Sequence, residues 1–240
     1  MENAVNILVC DDEVEVADLL CHLLEREGFA ATACHSGTEA LDLLQARPFD
    51  LAVLDIMMPG ADGFEVCRQV RAGACASGAD MPIVFVSAKS EEFDKVLGFT
   101  LGADDYVTKP FKARELVARV KARLRGRVSS GAAEADGVLS ACDIELSEAN
   151  HAATLHGCEL PLTPKEFDCL AELLRAHGAP VSSKELFERV WREEYVSTSH
   201  NAVMVYIRRL RKKLAEVDSS EEFIETVWGV GYRIPEKRRG

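Results

Sequence analysis

The stretch Leu51-Ala52-Val53-Leu54-Asp55-Ile56-Met57-Met58-Pro59-Gly60-Ala61-Asp62-Gly63 decides how this chain is read. An unbroken run of four apolar residues is the pattern of a strand buried on both faces. It ends on a carboxylate and passes at once into a Pro-Gly turn, so Asp55 stands at the carboxyl end of a buried strand. Open α/β sheets keep their chemistry along that edge. Three further segments stop in the same manner. Ile7-Leu8-Val9-Cys10 runs into Asp11-Asp12, Ile83-Val84-Phe85-Val86 into Ser87, and Tyr106-Val107-Thr108 into Lys109-Pro110.

Around these ends the pattern alternates five times. Strands are predicted over 6–10, 29–33, 51–55, 82–87 and 105–108, and helices over 13–27, 37–46, 63–72, 90–100 and 112–125. Residues 1–125 therefore read as an α/β domain with a flavodoxin-like doubly wound (βα)5 sheet. Residues 126–137 are small and polar without periodicity, the composition of a flexible linker.

Residues 138–240 change character. Short strands near 142–146, 151–155 and 158–160 precede three helices. Thr163-Pro164-Lys165-Glu166 is a capping box with proline at the first helical position, opening a helix to about 177. Ser182-Ser183-Lys184-Glu185 opens a second, ending near Trp191, and a third runs from about 199 to 216. A hairpin follows, with Trp228-Gly229-Val230-Gly231 in its turn. Three helices and a hairpin make an α+β winged helix-turn-helix domain.

With 240 residues the chain has length for two ordinary domains, and 48% hydrophobic content fits a globular protein. No apolar run approaches the ~20 residues of a membrane span. Met1-Glu2-Asn3 lacks the basic start of a signal peptide, so a cytoplasmic location without membrane contact is expected. The eight cysteines are scattered with no C-x-x-C pair and read as reduced core residues, not disulfides or zinc ligands. The net charge of −12 argues at first against nucleic acid, yet five of the six residues 208–213 are basic. Salt screens the field within about 8–10 Å, so local charge governs phosphate contact.

Asp11 and Asp12 alone read first as acids capping a helix start, and Asp55 alone also fits a cap before a turn. Their convergence with Ser87 and Lys109 on one sheet edge is not explained that way. Mg²⁺ takes oxygen ligands and usually binds through one or two carboxylates plus phosphate oxygens. Asp11, Asp12 and Asp55 are the candidate carboxylates, with the Met57 backbone carbonyl beside them. Asp55 would be the nucleophile, Lys109 would pair with a phosphoryl oxygen and Ser87 would donate to another.

The ordered set Asp11-Asp12, Asp55 with Met57-Met58-Pro59-Gly60-Ala61-Asp62-Gly63, Ser87-Ala88, Gly102-Ala103-Asp104-Asp105-Tyr106 and Lys109-Pro110-Phe111 resembles a two-component receiver domain over residues 4–125. Residues 138–235 resemble the winged-helix effector of the OmpR/PhoB family. The resemblance implies that a sensor histidine kinase phosphorylates Asp55, that Ser87 then moves toward the phosphoryl group and that Tyr106 rotates inward behind it. Ser87 stands where the family often has threonine. Met57 is apolar two positions past the acceptor and is expected to hinder in-line water, giving a slowly hydrolysed aspartyl phosphate.

The resemblance also implies a homodimer through the fourth helix, fifth strand and fifth helix. Lys95 with Glu115, Asp105 with Arg119 and Asp104 with Lys121 would pair across it, around an apolar centre of Val96, Phe99 and Val117. Thr100 stands where relatives carry an acid.

In the third effector helix, Val203, Ile207, Leu210 and Leu214 recur at three- and four-residue steps and would face the core. Asn201, Met204, Tyr206, Arg208, Arg209, Arg211 and Lys212 are the candidate contacts to double-stranded promoter DNA, joined by Arg233 from the wing. Asn201 falls where relatives often have arginine, and asparagine can pair with adenine. Trp228 stands where some relatives place an arginine that enters the minor groove; here it either packs the wing or is presented. The 192–198 connection corresponds to the loop through which relatives can touch RNA polymerase.

Three other readings compete. A haloacid-dehalogenase-type phosphatase also uses an aspartate after a strand, but needs an acid two residues on, where Met57 stands. A winged-helix regulator whose receiver-like half works without phosphorylation is the second. The third, membrane-surface binding, lacks any basic amphipathic helix outside 199–214. The reading adopted is a phosphorylation-controlled transcription regulator with no turnover activity.

Overall fold

The computed structural model describes residues 4–88, 92–128 and 137–236. The start Met1-Glu2-Asn3 and most of the expected linker, at 129–136, lie outside the described residues. Contacts divide the chain into two compact units, Met1–Leu124 and Arg125–Gly240.

The first unit alternates β1 (Asn6–Cys10), α1 (Val14–Glu25), β2 (Ala30–Cys34), α2 (Gly37–Ala46), β3 (Leu51–Leu54), α3 (Gly63–Arg71), β4 (Ile83–Ser87), α4 (Glu92–Leu101), β5 (Asp105–Thr108) and α5 (Ala113–Val128). All five strands are parallel, in the order β2-β1-β3-β4-β5. Continuous apolar runs suit strands covered on both sides. Ile7, Val9, Leu51, Val53, Val84, Val86 and Val107 form one core with Ala17, Leu20 and Leu24 of α1 and Leu116, Val120 and Leu124 of α5. Alternate residues Leu8, Ala52, Leu54 and Phe85 are equally buried, on the side of α2, α3 and α4.

Strand order reverses between β1 and β3, the two strands that end on acids. A crevice at the carboxyl ends of a doubly wound sheet opens at such a switch point. Gly63 closes the turn after β3: a Cβ there would lie 2.1 Å from the Asp55 carbonyl oxygen. Only glycine lets α3 begin this close to the strand it follows.

The second unit begins with an antiparallel sheet, β6 (Val138–Ala141), β7 (Ile144–Ser147), β8 (Ala152–Leu155) and β9 (Cys158–Glu159), in that order. Helices α6 (Pro164–Arg175), α7 (Ser183–Trp191) and α8 (Ser199–Val217) follow, then the hairpin β10 (Glu225–Val227) and β11 (Gly231–Arg233). Both expected capping boxes form, Thr163 with Glu166 and Ser182 with Glu185. The first strand, β6, is an addition to the expectation from sequence. Trp191, Tyr206 and Phe187 pack edge-on or stacked where the three helices meet. The expected core stripe of Val203, Ile207, Leu210 and Leu214 is buried.

No described helix is long and apolar enough to cross a membrane.

Candidate functional site

The ends of β1, β3 and β5 bring three groups together. Lys109 Nζ lies 2.8 Å from Asp11 Oδ2 and 3.0 Å from Asp55 Oδ2. Glu13, not anticipated from sequence, adds a carboxylate at 3.6 Å. Asp55 Oδ1 accepts from the Ile56 amide at 2.6 Å and the Met57 amide at 3.3 Å. One Asp55 oxygen is thus fixed by the backbone while the other faces a cation.

Asp11 is 1% exposed, and burial pushes its carboxyl pKa up, against the pull of Lys109. Burial alone would draw the Lys109 ammonium down, but its pairing with Asp11 and Asp55 outweighs that and holds it up.

Asp11, Asp12 and Asp55 each offer a carboxylate oxygen within 4.8 Å of the others. Asp11 Oδ2 is buried and held by the nearby charge of Lys109, without a well-directed hydrogen bond. A buried carboxylate oxygen lacking a directed donor, beside two more acids, fits a hard divalent cation. Met57 is 58% exposed at the lip of this cluster.

Ser87 is fully buried at the end of β4. Tyr106, one strand over and in register with Phe85, is 3% exposed. Its hydroxyl lies near enough to the Ser87 side chain to feel it, and burial pushes its pKa up to about 12. The tyrosine therefore already lies inward.

The expected dimer face is corrected at several positions. Asp104 is fully buried, bound by Arg71 Nη2 at 2.8 Å and by the Ile83 amide at 2.9 Å. It cannot meet Lys121 of a second copy, and Lys121 pairs with Glu27 at 2.5 Å. Asp105 engages Arg119 at 2.8 Å and Arg123 at 3.3 Å within its own chain. Arg119 also bonds Glu115 at 3.0 Å. Val96 and Phe99 are buried in the monomer, 5% and 3% exposed, so of the expected apolar centre only Val117 stays part-exposed. Lys95 is likewise part-exposed.

On the second unit, α8 and the β10–β11 wing border a groove of about 830 Å³ lined by Met204, Arg208, Arg211, Lys184, Trp228 and Val230 among others. Asn201, Met204, Arg208 and Lys212 are exposed along α8. Tyr206 is not: it is wholly buried against Trp191, which corrects its place among the DNA contacts. Its position, three residues past Val203, puts it on the core stripe.

Three expected cations are engaged within the chain. Arg211 donates to the Ile224 carbonyl at 2.6 Å and to Thr226 Oγ1 at 2.8 Å, bracing the wing. Arg233 pairs with Glu225 at 2.8 Å, and the Arg209 guanidinium lies 5.3 Å from the Tyr206 ring. Trp228 is 90% exposed, so it does not pack the wing. Sequence reasoning also missed a buried pair: Lys213 meets Glu166 at 2.7 Å and ties α8 to the cap of α6.

A family described as response regulator receiver domain matches residues 7–121, and one described as transcriptional regulatory protein, C terminal, matches residues 157–234. Regulatory protein VanRc of Enterococcus gallinarum is 43% identical over 237 residues, covering 95% of this chain and 97% of that protein. The chain belongs to the OmpR/PhoB type of two-component response regulators. Sensory transduction protein RegX3 of Mycobacterium tuberculosis is similar at 38% identity over 229 residues, covering 95% and 98% of the two chains. Among solved structures, a RitR mutant covers 97% of this response regulator and all of that chain, at 25% identity and a TM-score of 0.59. The protein is thus a receiver joined to a DNA-binding domain, a transcriptional regulator of a two-component system.

Proposed function

We propose that this regulator accepts a phosphoryl group on Asp55 from a sensor histidine kinase, pairs through its receiver and so binds paired promoter sites. The observation that carries this reading is Asp55 itself, buried, with one oxygen held by two amides and the other facing Lys109.

Asp11, Asp12, Asp55 and the Met57 carbonyl would hold Mg²⁺, which when bound neutralises charge on the transferring group. The chain does the rest by position. An Asp55 oxygen attacks phosphorus as the bond to the kinase imidazole breaks. Lys109 pairs with a phosphoryl oxygen, and the Ser87 hydroxyl donates to another. That new acceptor competes with Tyr106 for Ser87, linking the phosphoryl group to the edge strand β5. With no acid at position 57 there is no general acid-base for rapid turnover, so the protein acts as an acceptor and not as a phosphatase.

Residues 1–125 form the receiver, 126–137 the linker and 138–240 the effector. Pairing of two receivers raises the effective concentration of two effectors, which favours tandem half-sites about one helical turn apart. Lys95, Glu115, Arg119 and Val117 remain the surface for that pairing, which requires Asp105 to exchange an internal partner for an external one. Asn201, Met204, Arg208 and Lys212 contact DNA, the loop 192–198 faces RNA polymerase, and the protein works in the cytoplasm.

The test is sedimentation and duplex binding of the full chain, with and without acetyl phosphate and Mg²⁺. Dimer formation and tighter binding on phosphorylation are expected. Equal mass and equal affinity in both states would favour the phosphorylation-independent reading.

A further inference from the structure

Gly98 has no local reason to be glycine. It lies inside α4, not at a cap, in ordinary helical conformation, where glycine is the poorest choice after proline. Its surroundings supply the reason. A Cβ at position 98 would stand 3.1 and 3.3 Å from two ring carbons of Phe85 and 3.6 Å from a ring carbon of Tyr106. The first two distances are tighter than carbon contacts normally allow.

Phe85 cannot simply recede. On its other side Phe64 of α3 meets it edge-on, with ring centroids 5.4 Å apart. Tyr106 closes the row at 6.3 Å from Phe85. Of the three rings, Tyr106 alone sits on an edge strand, β5. It alone has a polar tip that tolerates water. Tyr106 is therefore the ring with room to move when a Cβ at position 98 displaces Phe85.

We propose that Gly98 is the positioning residue of the receiver switch: the missing Cβ is the notch that lets α4 close over Phe85 and holds Tyr106 inward on Ser87. This rests on the reading of Tyr106 as the element coupled to Asp55, and it adds the residue that sets the balance between its two positions. Any side chain at 98 shifts Tyr106 outward before phosphorylation occurs.

The experiment uses the full chain labelled with 3-fluorotyrosine. The chain has four tyrosines, and Tyr106→Phe assigns the resonance. In the parent protein the Tyr106 fluorine should show a buried shift and a small H₂O/D₂O isotope effect. In Gly98→Ala the resonance should move toward free fluorotyrosine and its isotope effect should rise. Adding Phe85→Leu, which shortens the ring that the new methyl meets, should return both to the parent values. A folded Gly98→Ala with an unmoved Tyr106 signal would overturn the proposal, and so would a displaced signal that Phe85→Leu does not rescue. Should Gly98→Ala fail to fold, Gly98→Ala/Phe85→Leu is compared with Phe85→Leu alone. Tyr106 must then be inward in both, and displacement in the double variant overturns the account. These spectra need no phosphate, so failure of Asp55 to label would remove the functional reading without changing their outcome.

Discussion

The two halves of this regulator present charge in opposite ways. At the receiver's sheet edge, groups from separate strands converge: Lys109 lies within 3.0 Å of both Asp11 and Asp55 across three strand ends. On the effector, cations that are neighbours in sequence diverge. Arg211 and Arg233 brace the wing and Lys213 anchors α6, while Arg208 and Lys212 stay on the surface. Strand ends of a parallel sheet point to one place whatever the loops do. A basic run on a helix is divided among all its faces, so sequence proximity says little about shared function.

The largest effect that sharpens this contrast concerns Tyr206. If it is core and not a DNA contact, Tyr206→Ala opens a cavity and costs about 3–5 kcal/mol of effector stability. Thermal unfolding should show the effector transition falling while the receiver transition holds; two unmoved transitions would return Tyr206 to the surface. Next is Lys109→Ala. It removes the cation shared by Asp11 and Asp55, and acetyl phosphate labelling should slow by about a hundredfold or more, as when one preorganised donor is lost from a site of developing negative charge.

Arg208 and Arg211 split the effector comparison directly. Arg211→Ala should cost roughly 1 kcal/mol of stability, discounted for its partial exposure, and speed amide exchange in the wing. Arg208→Ala should leave stability within about 0.5 kcal/mol and reduce the slope of log affinity against log salt by about 0.9. Reversal of the two outcomes would mean that the bracing contacts have been misjudged. The smallest effect is at the lip of the acid cluster. Met57→Asn should shorten the aspartyl phosphate lifetime by roughly three- to tenfold, a decade being about 1.4 kcal/mol of barrier; quenched time points weighed intact would show it.

Much of the receiver could be read from sequence because its signals are one-dimensional. Four of its five strands are short apolar runs that end on or just before a site residue, Asp11, Asp55, Ser87 or Lys109. The effector's capping boxes were legible for the same reason: a hydroxyl and a glutamate three residues apart meet by helix geometry alone. β6 was missed because Val138-Leu139-Ser140-Ala141 adjoins a small-residue stretch and is half exposed, giving a weak period. Asp104 was misplaced because its partner, Arg71, lies 33 residues away and no local pattern joins them. The intramolecular pairing of Asp105 with Arg119 and Arg123 was hidden similarly. Gly98 did carry a signal, a glycine inside an amphipathic helix, but its meaning depends on rings from β4 and β5.

The measurement that bears most directly on the central claim is the intact mass of the full chain after incubation with Mg²⁺ and acetyl phosphate, beside Asp55→Asn. The account predicts a gain of one phosphoryl group in the parent protein and none in the variant. A folded parent protein that gains no mass, or a variant that gains as much, would contradict it.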